Sequence, residues 1–398
     1  MEPEAPAHFL AAAARGIRRR LIRHMEAGGT TDLGESTLEI EAAVYTDPQR
    51  FEAERRTVFR EQPLLVGLSR ELPEAGDLLR FDEAGSEIAL ARGADGRVNA
   101  FLNLCRHRGA RLVEGCERRR RIVCPFHGWS YELDGRLVGI PVSAAFEGID
   151  RSRRGLIRVP AAEWGGLIFA IPRPGDDAID VPGFLGPLAE LVSALELARA
   201  EPLRRDRLTL RANWKLALDT FCEPYHVPAL HPRSLAPSIV PYVATWDAFG
   251  LHHRYASPGP EFQDFLGKAD QDLPPAYYQA VHLLSPNAVL TVGQLQGIGN
   301  QVPFYALFRI FPGAGVGEAV TLASIYRPAH AAPDASADVL AAHEAILRVV
   351  ESEDFALAAR AWENLRKAPP GHRLVFGRNE MLLQHSHRRI AELAGMPL

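Results

Sequence analysis

The chain is predicted to be α+β, with a small antiparallel β-sandwich followed by a larger unit of sheet and long helices. Three observations predict this. From Leu64 to about Pro160 the sequence runs in short β-prone segments broken by turn residues. A second β-rich stretch, Ala288–Val292, Val302–Phe311 and Ala319–Tyr326, supplies the strands of a sheet wall. Helical periodicity lies outside both stretches, at Ala7–Met25, Pro48–Glu61 and Ala337–Leu365. The expected parts are 1–37, a helical segment packing on the larger unit; 38–160, the sandwich; and 161–398, the larger unit.

In chain order, Ala7–Met25 is a basic amphipathic helix closed by Gly28-Gly29. Arg15 and Arg18–Arg20 follow its apolar run Phe9–Ala14, the reverse of a signal peptide's charge order; packing on its own chain is expected, with contact to a membrane surface or a partner as the alternative. Leu38–Val44 reads as a connector. Strands are expected at Leu64–Leu68, Leu78–Phe81, Ile88–Arg92, Val98–Leu104, Ile122–Cys124 and Trp129–Leu133, with hairpin turns at Gly93-Ala94-Asp95-Gly96 and Asp134-Gly135. A Pro- and Gly-bearing linker runs to Gly186, Pro187–Ala200 is helical, and Leu208–Trp214 leads from a strand into a further helix.

Composition narrows the function classes. The 398 residues are 47% apolar and 24% charged, with a net charge of −4, so there is no basic footprint for nucleic acid. No apolar run approaches the roughly 20 residues of a membrane-spanning helix. Of the four cysteines, Cys105, Cys116, Cys124 and Cys222, two fall in a metal motif, so a disulfide framework is not expected and a cytoplasmic setting is.

That motif is Cys105-Arg106-His107 and, after sixteen residues, Cys124-Pro125-Phe126-His127. Two thiolates and two imidazoles suit iron or zinc. A structural zinc site more usually runs Cys-Cys then His-His, whereas two Cys/His hairpins fit a [2Fe-2S] cluster in which two histidines replace two cysteines on one iron, the Rieske arrangement. Gly109 and Gly128 are expected where the backbone bends round the cluster. Between the pairs, Glu117-Arg118-Arg119-Arg120-Arg121 is either a solvated loop tip or a landing site for an acidic electron donor. Cys116 is expected to be a packed small residue rather than a ligand.

A second constellation lies in Asp219-Thr220-Phe221-Cys222-Glu223-Pro224-Tyr225-His226-Val227-Pro228-Ala229-Leu230-His231. Asp219, Glu223 and His226 fall on one helical stripe, while His231 lies about 140° round from His226, with Pro228 expected to break the helix between them. Two histidines and one carboxylate make a facial site for iron(II) with three open positions. The carboxylate is sought at Glu223 or in Glu351-Ser352-Glu353-Asp354.

From about residue 38 onward the chain resembles the catalytic α subunits of the Rieske non-haem iron oxygenases, the ring-hydroxylating oxygenases. The resemblance is carried by Cys105-Arg106-His107-Arg108-Gly109-Ala110, Cys124-Pro125-Phe126-His127-Gly128-Trp129-Ser130-Tyr131 and the Glu223–His231 segment. It implies a Rieske antiparallel β-sandwich domain plus a helix-grip (START-like) catalytic domain, an antiparallel sheet wrapped by helices over a substrate cavity. It implies Cys105, His107, Cys124 and His127 as ligands of one [2Fe-2S] cluster, and His226, His231 and Asp354 as ligands of one mononuclear Fe(II). Glu223 takes the place of the family's bridging acid, which joins a cluster histidine of one subunit, here His127, to an iron ligand of its neighbour, here His226, in a head-to-tail homotrimer. Two positions depart from the family pattern: Asp219-Thr220 stands where an amide is common, and Ala361-Trp362-Glu363 where a Gln often follows. His385-Ser386-His387 belongs to a closing helix read as structural.

The implied activity is that of a terminal oxygenase acting on a small organic substrate with O₂, as mono- or dioxygenase, with aromatic ring hydroxylation or oxidative O- or N-demethylation among its forms. No G-x-G-x-x-G follows a strand, so electrons are expected from a separate NAD(P)H-dependent reductase, directly or through a ferredoxin. A β subunit is left open. Two other classes compete, a Rieske electron carrier without oxygenase chemistry and a zinc-stapled binding module. Trp246, Phe249, Tyr277 and Tyr278 are either pocket-lining or core.

Overall fold

The computed structural model describes residues 6–83, 85–296 and 301–398. Its contacts divide the chain into two compact units. One comprises Phe59–Phe184 with Leu197–Arg199; the other holds the remainder, including the N-terminal helix. The division thus departs from the expected boundaries at 37/38 and 160/161. Leu167–Ala170 pairs antiparallel with Leu64–Leu68, so the segment after 160 completes a sheet begun before it.

The first unit is antiparallel throughout. A four-stranded sheet runs in the order Val98–Leu102, Ile88–Arg92, Asp77–Phe81, Cys116–Arg118, beside two three-stranded sheets. The predicted turns form as expected: Gly96 and Gly135 have φ of 80° and 89°, the left-handed region that glycine enters without Cβ strain. A Cβ on Gly135 would also meet the Phe101 ring at 2.5 Å. The core gathers Leu78, Phe101, Val113, Trp129 and Tyr131, and it includes Cys105 and Cys124. Cys116, expected to be packed, is exposed on a short edge strand.

In the second unit a seven-stranded antiparallel sheet runs in the order Glu201–Leu210, Ala319–Arg327, Gln301–Pro312, Ala288–Gln296, Ala280–Leu284, His252–Ala256, Thr245–Phe249. Its middle strands are buried on both faces, which is why Ala319–Arg327 reads as a near-continuous apolar run. The N-terminal helix, Pro6–Glu26, packs in this unit, with Arg20 bonded to Asp247 and Asp32 at 2.7 Å each. Residues 1–5 lie outside the described ones. Leu38–Glu41, expected to be a connector, is a strand paired with Arg373–Phe376. A partner more than 330 residues away leaves no local signature.

Helix Pro48–Glu61 anchors the approach to the second constellation. Glu54, fully buried, accepts from Trp214 Nε1 at 2.9 Å and Arg50 Nε at 3.0 Å, and it pairs with Lys215. Trp214 and Lys215 open the helix Trp214–Asp219, whose N-cap Asn213 accepts from the Lys215 backbone N–H at 3.0 Å.

Candidate metal centres

The expected stripe of Asp219, Glu223 and His226 on one helix does not form. The helix stops at Asp219, and residues 220–226 are turns, because Pro224 disfavours helical backbone at Glu223. A separate short helix, Val227–Leu230, then takes His226 as N-cap and His231 as C-cap. Pro228 lies in its first turn, where the missing N–H costs nothing, so it does not break the helix between the histidines. The two rings meet all the same, with centroids 5.1 Å apart at 71°.

The third member comes from a segment more than 120 residues further along the chain. The predicted long helix is Ser336–Val349 and Ala356–Leu365 joined by a π-helical turn, Val350–Phe355. Such turns widen a helix by one residue and concentrate at functional sites. This one carries Glu353 and Asp354. Asp354 Oδ1 lies 3.1 Å from His231 Nε2 and 3.5 Å from His226 Nε2. Among the described residues, His226, His231 and Asp354 alone bring three ligand atoms within 4.8 Å of one another.

The opposite edges of both rings are held by acids. Glu223 Oε1 lies 2.5 Å from His226 Nδ1 and its Oε2 accepts from the His226 backbone N–H at 2.9 Å. Glu353 Oε2 lies 2.8 Å from His231 Nδ1. Burial alone would lower the His226 pKa, but Asp354 and Glu223 outweigh it and raise it to about 9. Three carboxylates round two imidazoles call for positive charge, and a dication beside Asp354 would take the two Nε2 lone pairs in place of protons. The residues fit a 2-His-1-carboxylate iron site.

One turn before Glu223, Asp219 belongs to a different cluster. It accepts from Tyr45 Oη at 2.6 Å and pairs with His387 Nε2 at 3.0 Å. This ties the closing helix, Met381–Ala394, to the loop that leads to the histidines.

The first unit presents the other motif. Cys105 and Cys124 are buried at 2% and 3% exposure, on loops where Gly109 and Gly128 have φ of 76° and 70°. His107 and His127 are half-buried, their rings 4.7 Å apart at 70°. His107 stacks on Trp129 at 4.9 Å. The Nδ1 atoms of both histidines are buried without a hydrogen-bond partner, as expected of nitrogens that face a metal. Burial raises the Cys105 thiol above its ordinary value, and burial with the His107 ring and Arg108 nearby lowers His127 below its own. Two thiolates and two imidazoles suit two irons, with the sulfurs on one and the imidazoles on the other.

Tyr131 has a role that the motif alone does not reveal. Its hydroxyl lies 3.2 Å from Cys105 Sγ and accepts from the Arg106 backbone N–H at 3.1 Å. The basic run is less free than its sequence implies: Arg118 pairs with Asp77 and Glu74, Arg119 with Glu117 and Arg121 with Glu132. Of the four aromatics weighed as pocket or core, Tyr278 is buried and bonds His282 and Arg254, and Phe249 lies under the Arg254 guanidinium. Tyr277 lines a cavity of about 220 Å³ beneath the N-terminal helix.

Comparison with known proteins agrees with this geometry. Residues 62–156 match the Rieske [2Fe-2S] domain, and residues 197–395 match the ring hydroxylating alpha subunit (catalytic domain). The chain belongs to the ring-hydroxylating alpha-subunit family. It therefore combines a Rieske [2Fe-2S] domain with the family's catalytic domain, which binds mononuclear iron. Relatives of this alpha subunit include the glycine betaine monooxygenase oxygenase subunit of Chromohalobacter salexigens, 34% identical over 204 residues, 51% of this chain and 45% of that one. Another is the biphenyl 2,3-dioxygenase subunit alpha of Rhodococcus jostii, 28% identical over 239 residues, 54% of this chain and 52% of that one. The chain spans about half the length of the curated relatives it matches. A quaternary ammonium Rieske monooxygenase solved with L-carnitine shares the fold, with TM-score 0.74 and 20% identity over 91% of this chain and 96% of that one. Among the described residues no helix is long and apolar enough to cross a membrane.

Proposed function

We propose that the chain is the terminal oxygenase component of a Rieske oxygenase system, hydroxylating a small organic substrate with O₂. The observation that carries this is the convergence of His226, His231 and Asp354 in the same chain as a Rieske domain. In this reading Cys105 and Cys124 ligate one iron of the cluster, His107 and His127 the other, and His226, His231 and Asp354 hold the mononuclear iron. The cluster supplies an electron at a raised potential, and the mononuclear iron supplies open positions for O₂.

The chain's own residues then have assigned work. Glu223 holds the proton on His226 Nδ1, which keeps Nε2 available as a ligand. It is also the acid that reaches a neighbouring subunit's cluster histidine in the proposed homotrimer. Tyr131 steadies Cys105 by its hydroxyl, and Trp129 fixes the plane of His107. Domain roles follow the matched residues: the part around 62–156 receives the electron and the part around 197–395 handles substrate. Electrons arrive from a separate NAD(P)H-dependent reductase, with or without a ferredoxin.

The relatives' names span quaternary amines and an arene, so glycine betaine, carnitine and biphenyl are the first substrates to test. The decisive experiment is iron and acid-labile sulfide per chain on anaerobically purified protein, with EPR of the reduced state before and after nitric oxide. About three irons and two sulfides with a new high-spin nitrosyl signal support the oxygenase. About two irons, and no nitrosyl signal after iron(II) is added back, leave an electron carrier.

A further inference from the structure

His231 is gripped on both edges by neighbouring residues of one helix. Its Nδ1 lies 2.8 Å from Glu353 Oε2 and its Nε2 lies 3.1 Å from Asp354 Oδ1. On a regular α-helix consecutive side chains point about 100° apart, which would not readily bring both acids to one ring. The π-helical turn Val350–Phe355 changes that spacing where the two acids occur. The Ser234 hydroxyl, three residues beyond His231, donates to the same Glu353 oxygen at 3.0 Å and fixes its position.

The imidazole has two neutral tautomers, and here they have opposite consequences. With the proton on Nδ1, the ring donates to Glu353 and its Nε2 lone pair faces the metal position. With the proton on Nε2, it donates to Asp354 across 3.1 Å, and two ligands bond each other instead of a cation. His231 is fully buried and Glu353 supplies the charged acceptor for its Nδ1–H, so without Glu353 a neutral water in the vacated space is the best remaining partner and the balance moves toward the second arrangement. We propose that Glu353, held by Ser234 and presented by the π-turn, is the positioning residue that keeps His231 in its metal-ready tautomer. This rests on the iron-site reading above and gives Glu353 a role distinct from that of the ligand Asp354.

The test is iron(II) affinity of the full-length, cluster-loaded protein, measured anaerobically by chelator competition, with acid-labile sulfide as the control for folding. Glu353→Ala should weaken iron(II) binding about 10- to 100-fold with sulfide unchanged, while Glu353→Gln, whose carbonyl still accepts from Nδ1–H, should stay within roughly threefold of wild type. Ser234→Ala should fall between wild type and Glu353→Ala. Wild-type affinity in Glu353→Ala overturns the proposal. So does loss in Glu353→Gln as deep as in Asp354→Asn, which would make Glu353 itself a ligand. If the unaltered protein takes up no third iron, the oxygenase reading fails instead, so the two failures are distinguishable.

Discussion

The cluster loops and the iron site each present two imidazoles at nearly the same mutual geometry, 4.7 Å and 70° against 5.1 Å and 71°, yet they offer opposite nitrogens. In the first, both Nδ1 atoms are buried and unpartnered; in the second, both Nδ1 atoms are on acids and both Nε2 atoms face Asp354. The difference follows from how the chain reaches each site. Two tight loops bring the near edge of each ring to the metal position. At the proposed iron site the three residues come from segments more than 120 residues apart, and carboxylates aim the far edge. A site assembled from distant elements therefore depends on the supports behind its ligands as much as on the ligands themselves.

The largest effect should separate the two sites outright. Asp354→Ala removes the one carboxylate within reach of both Nε2 atoms, so the protein should keep about two irons and two sulfides and lose the nitrosyl signal. Retention of the third iron would break the comparison, because it would mean that the cation is not held by the distant segment.

Next is the anchor of the helix that leads to the iron loop. Glu54→Leu strands Lys215 and Arg50 as buried charges and removes the acceptor for Trp214 Nε1. Breaking a buried pair in this way typically costs about 3–5 kcal/mol, to be read from urea midpoints. Double replacement of Glu54 and Lys215 by apolar residues should recover part of that loss.

These expectations also mark what the sequence could reveal. Cys105, His107, Cys124 and His127 stand at motif spacing within one short stretch, so the buried cysteines, the neighbouring histidine rings and the turn glycines beside them are legible in the sequence. His226 and His231 were legible as a pair, but their path was not. The stripe of Asp219, Glu223 and His226 reads as one helix, whereas the helix stops at Asp219 and a second, Val227–Leu230, begins beyond Pro224. The choice among Glu351, Glu353 and Asp354 depends on the π-turn, which no apolar periodicity encodes. Strand Leu38–Glu41 is not legible for a related reason, since its partner Arg373–Phe376 lies more than 330 residues away. The spacing puts Asp219 on the stripe of Glu223 and His226, and only the tertiary contacts to Tyr45 and His387 reveal its separate task.

A finer test concerns the support of His226. Glu223→Gln keeps an acceptor near Nδ1 but removes the charge, so both metal sites should fill while substrate-stimulated O₂ uptake falls about 10- to 100-fold. Full activity would show that the acid behind His226 only orients the ring. The effect should exceed that of Glu353→Gln, because only Glu223 is proposed to reach a second subunit.

The smallest expected effect lies on the cluster side. Arg119→Glu with Arg120→Glu reverses two charges in the basic run, but Arg119 already faces Glu117 at 2.6 Å and its neighbours Arg118 and Arg121 are also paired. Local pairing cancels much of the field that such a run would project to an approaching donor, and exposed charges are screened beyond about 10 Å at ordinary salt. Reduction of the cluster by its donor should therefore slow by roughly threefold at low salt and recover as salt is raised. Stopped-flow reduction across a salt series measures this directly. A much larger, salt-sensitive loss would make the run a docking site despite its internal pairs, and no change at any salt would leave it a solvated loop.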